Sequence, residues 1–178
     1  MKNRKEKILI IVLILVLIVA VVGVSYAAFN YVGLGNTVNT ITSGAIRMTY
    51  TESSNVISMS GALPTTDKTG KVRLNEGEYF DFTISSTITG NVNINYEISA
   101  KDVTTSDRKI DGSNIKLYLT RIKDDGTEEE LMTPETYNEE ASANEYTGRP
   151  AGEMSLYTSS MSSSESNNYR LRMYVDEW

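Results

Sequence analysis

From Ile8 to Val24 the chain runs for seventeen residues without a charge, an amide or a hydroxyl. Lys2, Arg4, Lys5 and Lys7 stand ahead of this run, and Ser25-Tyr26-Ala27-Ala28-Phe29 follows it. Such a segment does not stay in water, because each buried aliphatic side chain gains about 1.5–3 kcal/mol in an apolar phase. At about 1.5 Å per residue, the stretch from Ile8 to Phe29 is long enough to cross a hydrocarbon core of about 30 Å. Lys and Arg stay on the cytoplasmic side, so everything after Ala28 is expected outside the cell or on its surface. A positive start, an apolar middle and small residues at the end make a secretory signal, with Ser25 and Ala27 placed for a cut between Ala27 and Ala28. The apolar run exceeds the usual length of about 7–15 residues, which suits a retained anchor. Residues 1–27 are therefore read as a signal peptide or membrane anchor. It is expected to be one helix from about Lys5 to Ala28, touching the membrane through residues 8–24.

The remaining 151 residues have the size of one domain. Removing the first 27 residues takes away four basic side chains and one acidic one, which moves the net charge from −6 to −9. So acidic a body lacks the basic surface that displaces counterions from nucleic acid. There is no cysteine, so the fold must hold without disulfides.

The exported part reads as strands. Phe80, Phe82, Ile84 and Ile88 alternate with Asp81, Thr83, Ser85 and Thr87, and after Thr89-Gly90-Asn91 the pattern resumes with Val92, Ile94, Tyr96 and Ile98. Period-2 alternation puts one set of side chains on a core face and the other in water. Ile115-Leu117-Leu119 and Tyr169-Leu171-Met173-Val175 repeat it, and weaker strands are expected near Ala45–Thr51, Asn55–Ser60, Lys71–Leu74, Glu128–Met132 and Met154–Met161. Asp124-Asp125-Gly126 between apparent strands predicts a hairpin turn. Pro134 to Tyr146 and the polar Ser159 to Asn168 read as loops. Eight or nine short strands at this spacing predict an all-β, antiparallel sandwich over residues 44–178, either jelly roll or immunoglobulin-like. The chain stops just after its last strand, so the sheet is expected either to lack a partner beside Tyr169–Val175 or to belong to a longer sequence.

The chemistry is spare. Without histidine or cysteine there is no imidazole base, Ser-His-Asp triad, His-based zinc site or thiol nucleophile. Asp124-Asp125, Glu128-Glu129-Glu130 and Glu139-Glu140 lie in expected loops or strand ends and read as a solvated face rather than a catalytic pair. Gly33-Leu34-Gly35 lacks the rest of a dinucleotide fingerprint, and no calcium-loop spacing occurs. Leu63-Pro64-Thr65-Thr66 has neither the glycine nor the apolar tail of a wall-sorting signal. No enzyme, cofactor or metal is expected.

At the export junction, Ser25-Tyr26-Ala27-Ala28-Phe29-Asn30 followed by Ile41-Thr42-Ser43-Gly44-Ala45-Ile46-Arg47-Met48 resembles the start of TasA-like proteins. These are biofilm-matrix fibre subunits of Gram-positive bacteria, related to the camelysin group. The resemblance covers about the first fifty residues. It implies cleavage by a SipW-type signal peptidase between Ala27 and Ala28, and a jelly-roll subunit that associates with itself. The metalloprotease activity described for camelysins is not carried over to a chain without histidine. Residues 28–43 hold spaced apolar side chains (Phe29, Val32, Leu34, Val38, Ile41) among Asn, Gly and Thr, with no obvious hairpin partner. They read as a linker or as a donor strand that adds to a neighbouring subunit. A membrane-anchored surface domain that binds a ligand or partner protein is the competing reading.

Overall fold

The computed structural model describes residues 10, 12–17, 38–43, 46–53, 57–58, 61–75, 77–104 and 109–177. The chain divides into two compact units, Met1–Tyr31 and Val32–Trp178. In the first unit Ile10 and Val12–Leu17 are helical, with side chains more than half exposed. The rest of the helix expected from Lys5 to Ala28 lies outside the described residues. Among the described residues no helix is long and apolar enough to cross a membrane.

The second unit is an all-β sandwich of two antiparallel sheets. Its elements are β1 (Val38–Ser43), β2 (Ile46–Glu52), a one-turn helix α1 (Asp67–Gly70), β3 (Tyr79–Ile88), β4 (Ile94–Ala100), β5 (Ile115–Ile122), β6 (Glu128–Thr136), β7 (Met154–Met161) and β8 (Glu165–Val175). The larger sheet has the order β1-β2-β3-β8-β5-β6, and β4 pairs with β7 in the smaller one. The alternation in β3 does what period 2 requires. Phe82 and Ile84 are buried against the small sheet, while Thr83 and Ser85 bond Asn168 and Ser166 of β8 on the outer face. The core joins them to Tyr96, Ile98, Leu117, Leu119, Met132, Met154, Leu156, Met161 and Tyr169. Inside it, Phe82 stacks on Tyr169 at 5.3 Å and on Phe80 at 5.6 Å, and the Tyr96 and Tyr169 hydroxyls bond each other. Val92 falls before β4, and Ile94 at its start is only partly buried, so neither joins the core expected for them. The β5–β6 hairpin turns at Gly126, whose φ of +79° suits glycine.

Several expectations are corrected. Strand β8 is not an open edge: β3 and β5 flank it, and beyond β3 the Thr65 amide bonds the Val175 carbonyl. Residues 159–168 are not a loop. β7 runs to Met161 and β8 starts at Glu165, because a strand facing water on its outer side can be built from Ser and Asn. Pro134 extends β6, which tolerates it as an outermost strand. Lys71–Leu74 forms no strand and instead follows α1.

That segment, Thr65 to Asn75, is a strap over the outer face of β5 and β8. Thr66 caps α1 by accepting from the Thr69 amide. Gly70 lies so close to Tyr174 that a Cβ there would sit 2.5 Å from the ring. Lys71 Nζ lies 5.1 Å from the centre of the Tyr118 ring, and Arg172 Nε donates to the Arg73 carbonyl at 2.8 Å. Tyr118, Arg172 and Tyr174 are buried in consequence, on the face that alternation assigns to water, and Thr120 on the same face is buried beside Glu128.

Candidate assembly surface

A sandwich of two open sheets has four outermost strands, and an unpaired edge is a template for another chain. The β6 edge is blunted in three ways. It carries Glu128, Glu129, Glu130 and Glu135, it contains Pro134, and its register with β5 is broken twice by bulges. The other edges differ. β1 (Val-Asn-Thr-Ile-Thr-Ser) and β7 (Met-Ser-Leu-Tyr-Thr-Ser-Ser-Met) have no charge and no proline. β4 has one charged residue, Glu97, whose carboxylate is occupied. Among the described residues β1 pairs only with β2, and β4 and β7 only with each other.

The charged side chains close faces instead. Glu128 lies between two arginines of β8. Arg172 donates from Nη1 at 2.6 Å and Nη2 at 2.8 Å, Arg170 from Nη1 at 2.9 Å, and the Thr120 hydroxyl at 2.8 Å. Arg172 hydrogen bonding, working against partial burial, holds the Glu128 carboxyl down at about 2. Arg170 also grips Asp81 through two bonds of 2.7 Å. Lys116 joins Asp67 of α1 at 2.9 Å to Asp176 at 3.0 Å, and Tyr174 donates to Asp67. These contacts fasten the strap and the end of β8. Glu128 is thus the hub of an ion-pair network, where the sequence suggests a solvated run.

A second cluster holds the loop from Tyr137 to Glu153 over the outer face of β4. Arg149, whose side chain is 4 % exposed, donates Nε to Glu97 at 2.8 Å, Nη2 to Glu140, and Nη1 to the Pro150 and Glu153 carbonyls. Asn144 and Thr147 donate to the other Glu97 oxygen. Burial works against the Glu97 carboxylate, but bonds from Ser155, Thr147 and Arg149 keep its pKa below the ordinary value. Four backbone or side-chain acceptors engage four of the five N–H donors of this buried guanidinium. Among the described residues no cluster of acidic side chains is arranged to hold a metal ion.

Of the residues singled out at the export junction, Ser25, Ala27, Ala28, Phe29, Val32 and Leu34 lie outside the described residues. Val38 and Ile41 belong to β1, paired with Thr51 and Met48, so the sheet claims six residues of the segment read as a linker or donor. The hairpin partner that the sequence does not reveal is β2, which follows after the two residues Gly44 and Ala45. Thr65 and Thr66 of the Leu-Pro-Thr-Thr stretch bridge to Asp176 and cap α1, which accounts for them structurally. Set against models of known protein families the sequence matches none, and it matches no curated protein.

Proposed function

We propose that this chain is an exported structural subunit of the cell surface or extracellular matrix, assembling into fibres by strand addition after removal of residues 1–27. The observation that carries this reading is the contrast between edges. β6 is guarded by four acids, proline and two register breaks, whereas β1 carries no charge or proline and β4 has a single acid, held by Arg149, and one register break against β7. Strand addition draws affinity from main-chain bonds and selectivity from alternate side chains, so such edges suit it. The export segment, the resemblance of the first fifty residues to TasA-like proteins and the jelly-roll topology it implies belong to the same reading. The reading assigns no catalytic chemistry to a chain lacking histidine and cysteine.

Donor and acceptor are different surfaces, so the contact runs head to tail and propagates. The donor is residues 28–37, which precede β1. The test compares purified chains beginning at Ala28 and at Val38, the second keeping β1 intact, by light scattering and electron microscopy. Filaments from the first alone support the proposal; filaments from both, or from neither, remove the segment from assembly. N-terminal sequencing of protein from medium and membranes tests release. A chain found only in membranes, uncut and monomeric, replaces the subunit with an anchored binding domain.

A further inference from the structure

The loop from Tyr137 to Glu153 carries an aromatic ring that neither the core nor a strand edge uses. Asn144 and Arg149 bridge each other across a tight turn, where the Asn144 amide donates to the Arg149 carbonyl at 2.9 Å and the Gly148 amide to the Asn144 carbonyl at 2.8 Å. Tyr146 stands in that turn and is 77 % exposed. Exposed side chains ordinarily change rotamer freely. This one is held at both ends. Its backbone amide donates to Asn144 Oδ1 at 3.1 Å, and its hydroxyl accepts from the side-chain amide of Asn95 on β4. Asn144 is fixed in turn through Nδ2 to Glu97, which the buried Arg149 grips. The ring is thus preorganised, and a ligand stacking on it loses little affinity to ordering.

The floor beside the ring is polar and neutral. Asn95 pairs with Ser160 and Glu97 with Thr158, so these four side chains share the outer face of the small sheet. Asn95, Thr158 and Ser160 are exposed, whereas Glu97 is engaged by Arg149, Asn144 and Thr147. Neighbours on such a face stand about 5 Å apart across the strands and about 7 Å apart along one. Asn95 uses Nδ2 on Tyr146, and its amide oxygen is an acceptor with two lone pairs. The other exposed large hydrophobics of the β unit lie elsewhere, Leu63, Val72 and Leu74 in or beside the strap and Val103 and Ile110 between β4 and β5.

We propose that this face binds a neutral polysaccharide, one sugar ring stacking on Tyr146 while its hydroxyls bond Asn95, Thr158 and Ser160. A pyranose presents C–H groups on its faces and hydroxyls around its rim. One fixed aromatic face beside neutral donors and acceptors matches both halves of that pattern. An apolar peptide or a lipid would gain a single ring here and would strip water from the amide and hydroxyls without replacing their bonds. An acidic polymer is opposed by the exposed Glu145 next to Tyr146 and by the net charge of −6. The inference goes beyond assembly by strand addition and does not depend on it.

The net negative charge allows a test by native electrophoresis toward the anode. The full chain, kept in a zwitterionic detergent that carries no sugar, is run in gels cast with a soluble β-glucan, an α-glucan, a galactomannan or polygalacturonate, and in a plain gel. At least one neutral polymer should slow it, and polygalacturonate should not. Tyr146→Ala removes the ring, and Ser160→Arg fills the floor without touching the loop; each should restore the mobility seen in the plain gel. Denaturant midpoints matching that of the parent chain show that both variants are folded. No slowing by any neutral polymer, slowing by polygalacturonate as strong as by the neutral ones, or slowing that survives either substitution would overturn the proposal. Sedimentation velocity of the same samples adds one more refuting outcome: association between copies that Tyr146→Ala abolishes, without any slowing by sugar, would make the ring a contact between copies instead.

Discussion

Replacing Glu128 with Gln removes one charge from the network under the strap while keeping the shape of the side chain. Its cost can be reached by two routes. A carboxyl that titrates at about 2 in the fold, against an ordinary 4.5, contributes about 3 kcal/mol at neutral pH. Independently, taking the partner from a buried ion pair costs about 3–5 kcal/mol, and Arg172, with a side chain 3 % exposed, is such a partner. Gln still accepts one hydrogen bond, so the lower end, about 2–3 kcal/mol, is expected. With a urea dependence of about 2 kcal/mol per molar, the unfolding midpoint should fall by about 1–1.5 M at pH 7. The pH dependence separates this account from loss of packing. The folded pKa lies below the unfolded one, so the stabilisation is complete above about 4.5 and is lost as pH falls toward 2. Urea titrations of both proteins, followed by circular dichroism from pH 7 to pH 2, should therefore show curves that converge below pH 4. The other carboxylates titrate alike in both and cancel. A gap that stays constant with pH, or no gap at pH 7, would refute the reasoning.

Two further substitutions probe the two faces of the large sheet. Phe82→Ala should cost about 3–5 kcal/mol, whereas its outward neighbour in Thr83→Ala should cost less than about 1, both read from denaturant midpoints; reversed costs would put β3 out of register by one residue. Gly70→Ala gains about 1 kcal/mol of helix propensity but forces a Cβ against the fully buried Tyr174 ring, at about 1–3 kcal/mol. A net fall in melting temperature is expected, and a rise would mean that the strap does not press on β8.

How far the sequence discloses this molecule depends on which side of a strand carries its information. Phe82 and Ile84 in β3, or Leu117 and Leu119 in β5, announce a buried face by alternating with polar residues, and Asp124-Asp125-Gly126 announces the hairpin after β5. The start of β8 announces nothing. Glu165 to Asn168 is polar on both sides, so local composition reads as a loop, and only pairing with Thr83 to Ser86 makes it a strand. β1 is hidden differently: its Val38 and Ile41 stand three apart, so no alternation marks it. The outer-face core was illegible in another way: Tyr118 and Tyr174 occupy solvent positions in the alternation and are buried by a strap more than forty residues distant in sequence. Glu97 and Arg149, 52 residues apart, carry no local mark of their pairing. Among these, only the tyrosines hinted at burial, since a large amphipathic ring on a solvent face invites cover.

The placement of charge bears directly on where a neighbour can approach. The strap, fixed by Glu128, Arg172, Lys116 and Asp67, occupies the outer face of β5 and β8. The loop fixed by Arg149 occupies the outer face of β4. A chain stacking on either face would have to displace an ion pair, and breaking such a pair leaves a buried guanidinium uncompensated, at about 3–5 kcal/mol. In the plane of the small sheet, the β4 backbone on the side away from β7 has no strand partner among the described residues. Stacking that breaks a pair on the outer faces of β4, β5 or β8 is thus opposed by an energy comparable to a large part of a domain's stability. The acids and arginines that read as a solubilising surface in the sequence serve, in the fold, to fasten the strap over β5 and β8 and the loop over β4.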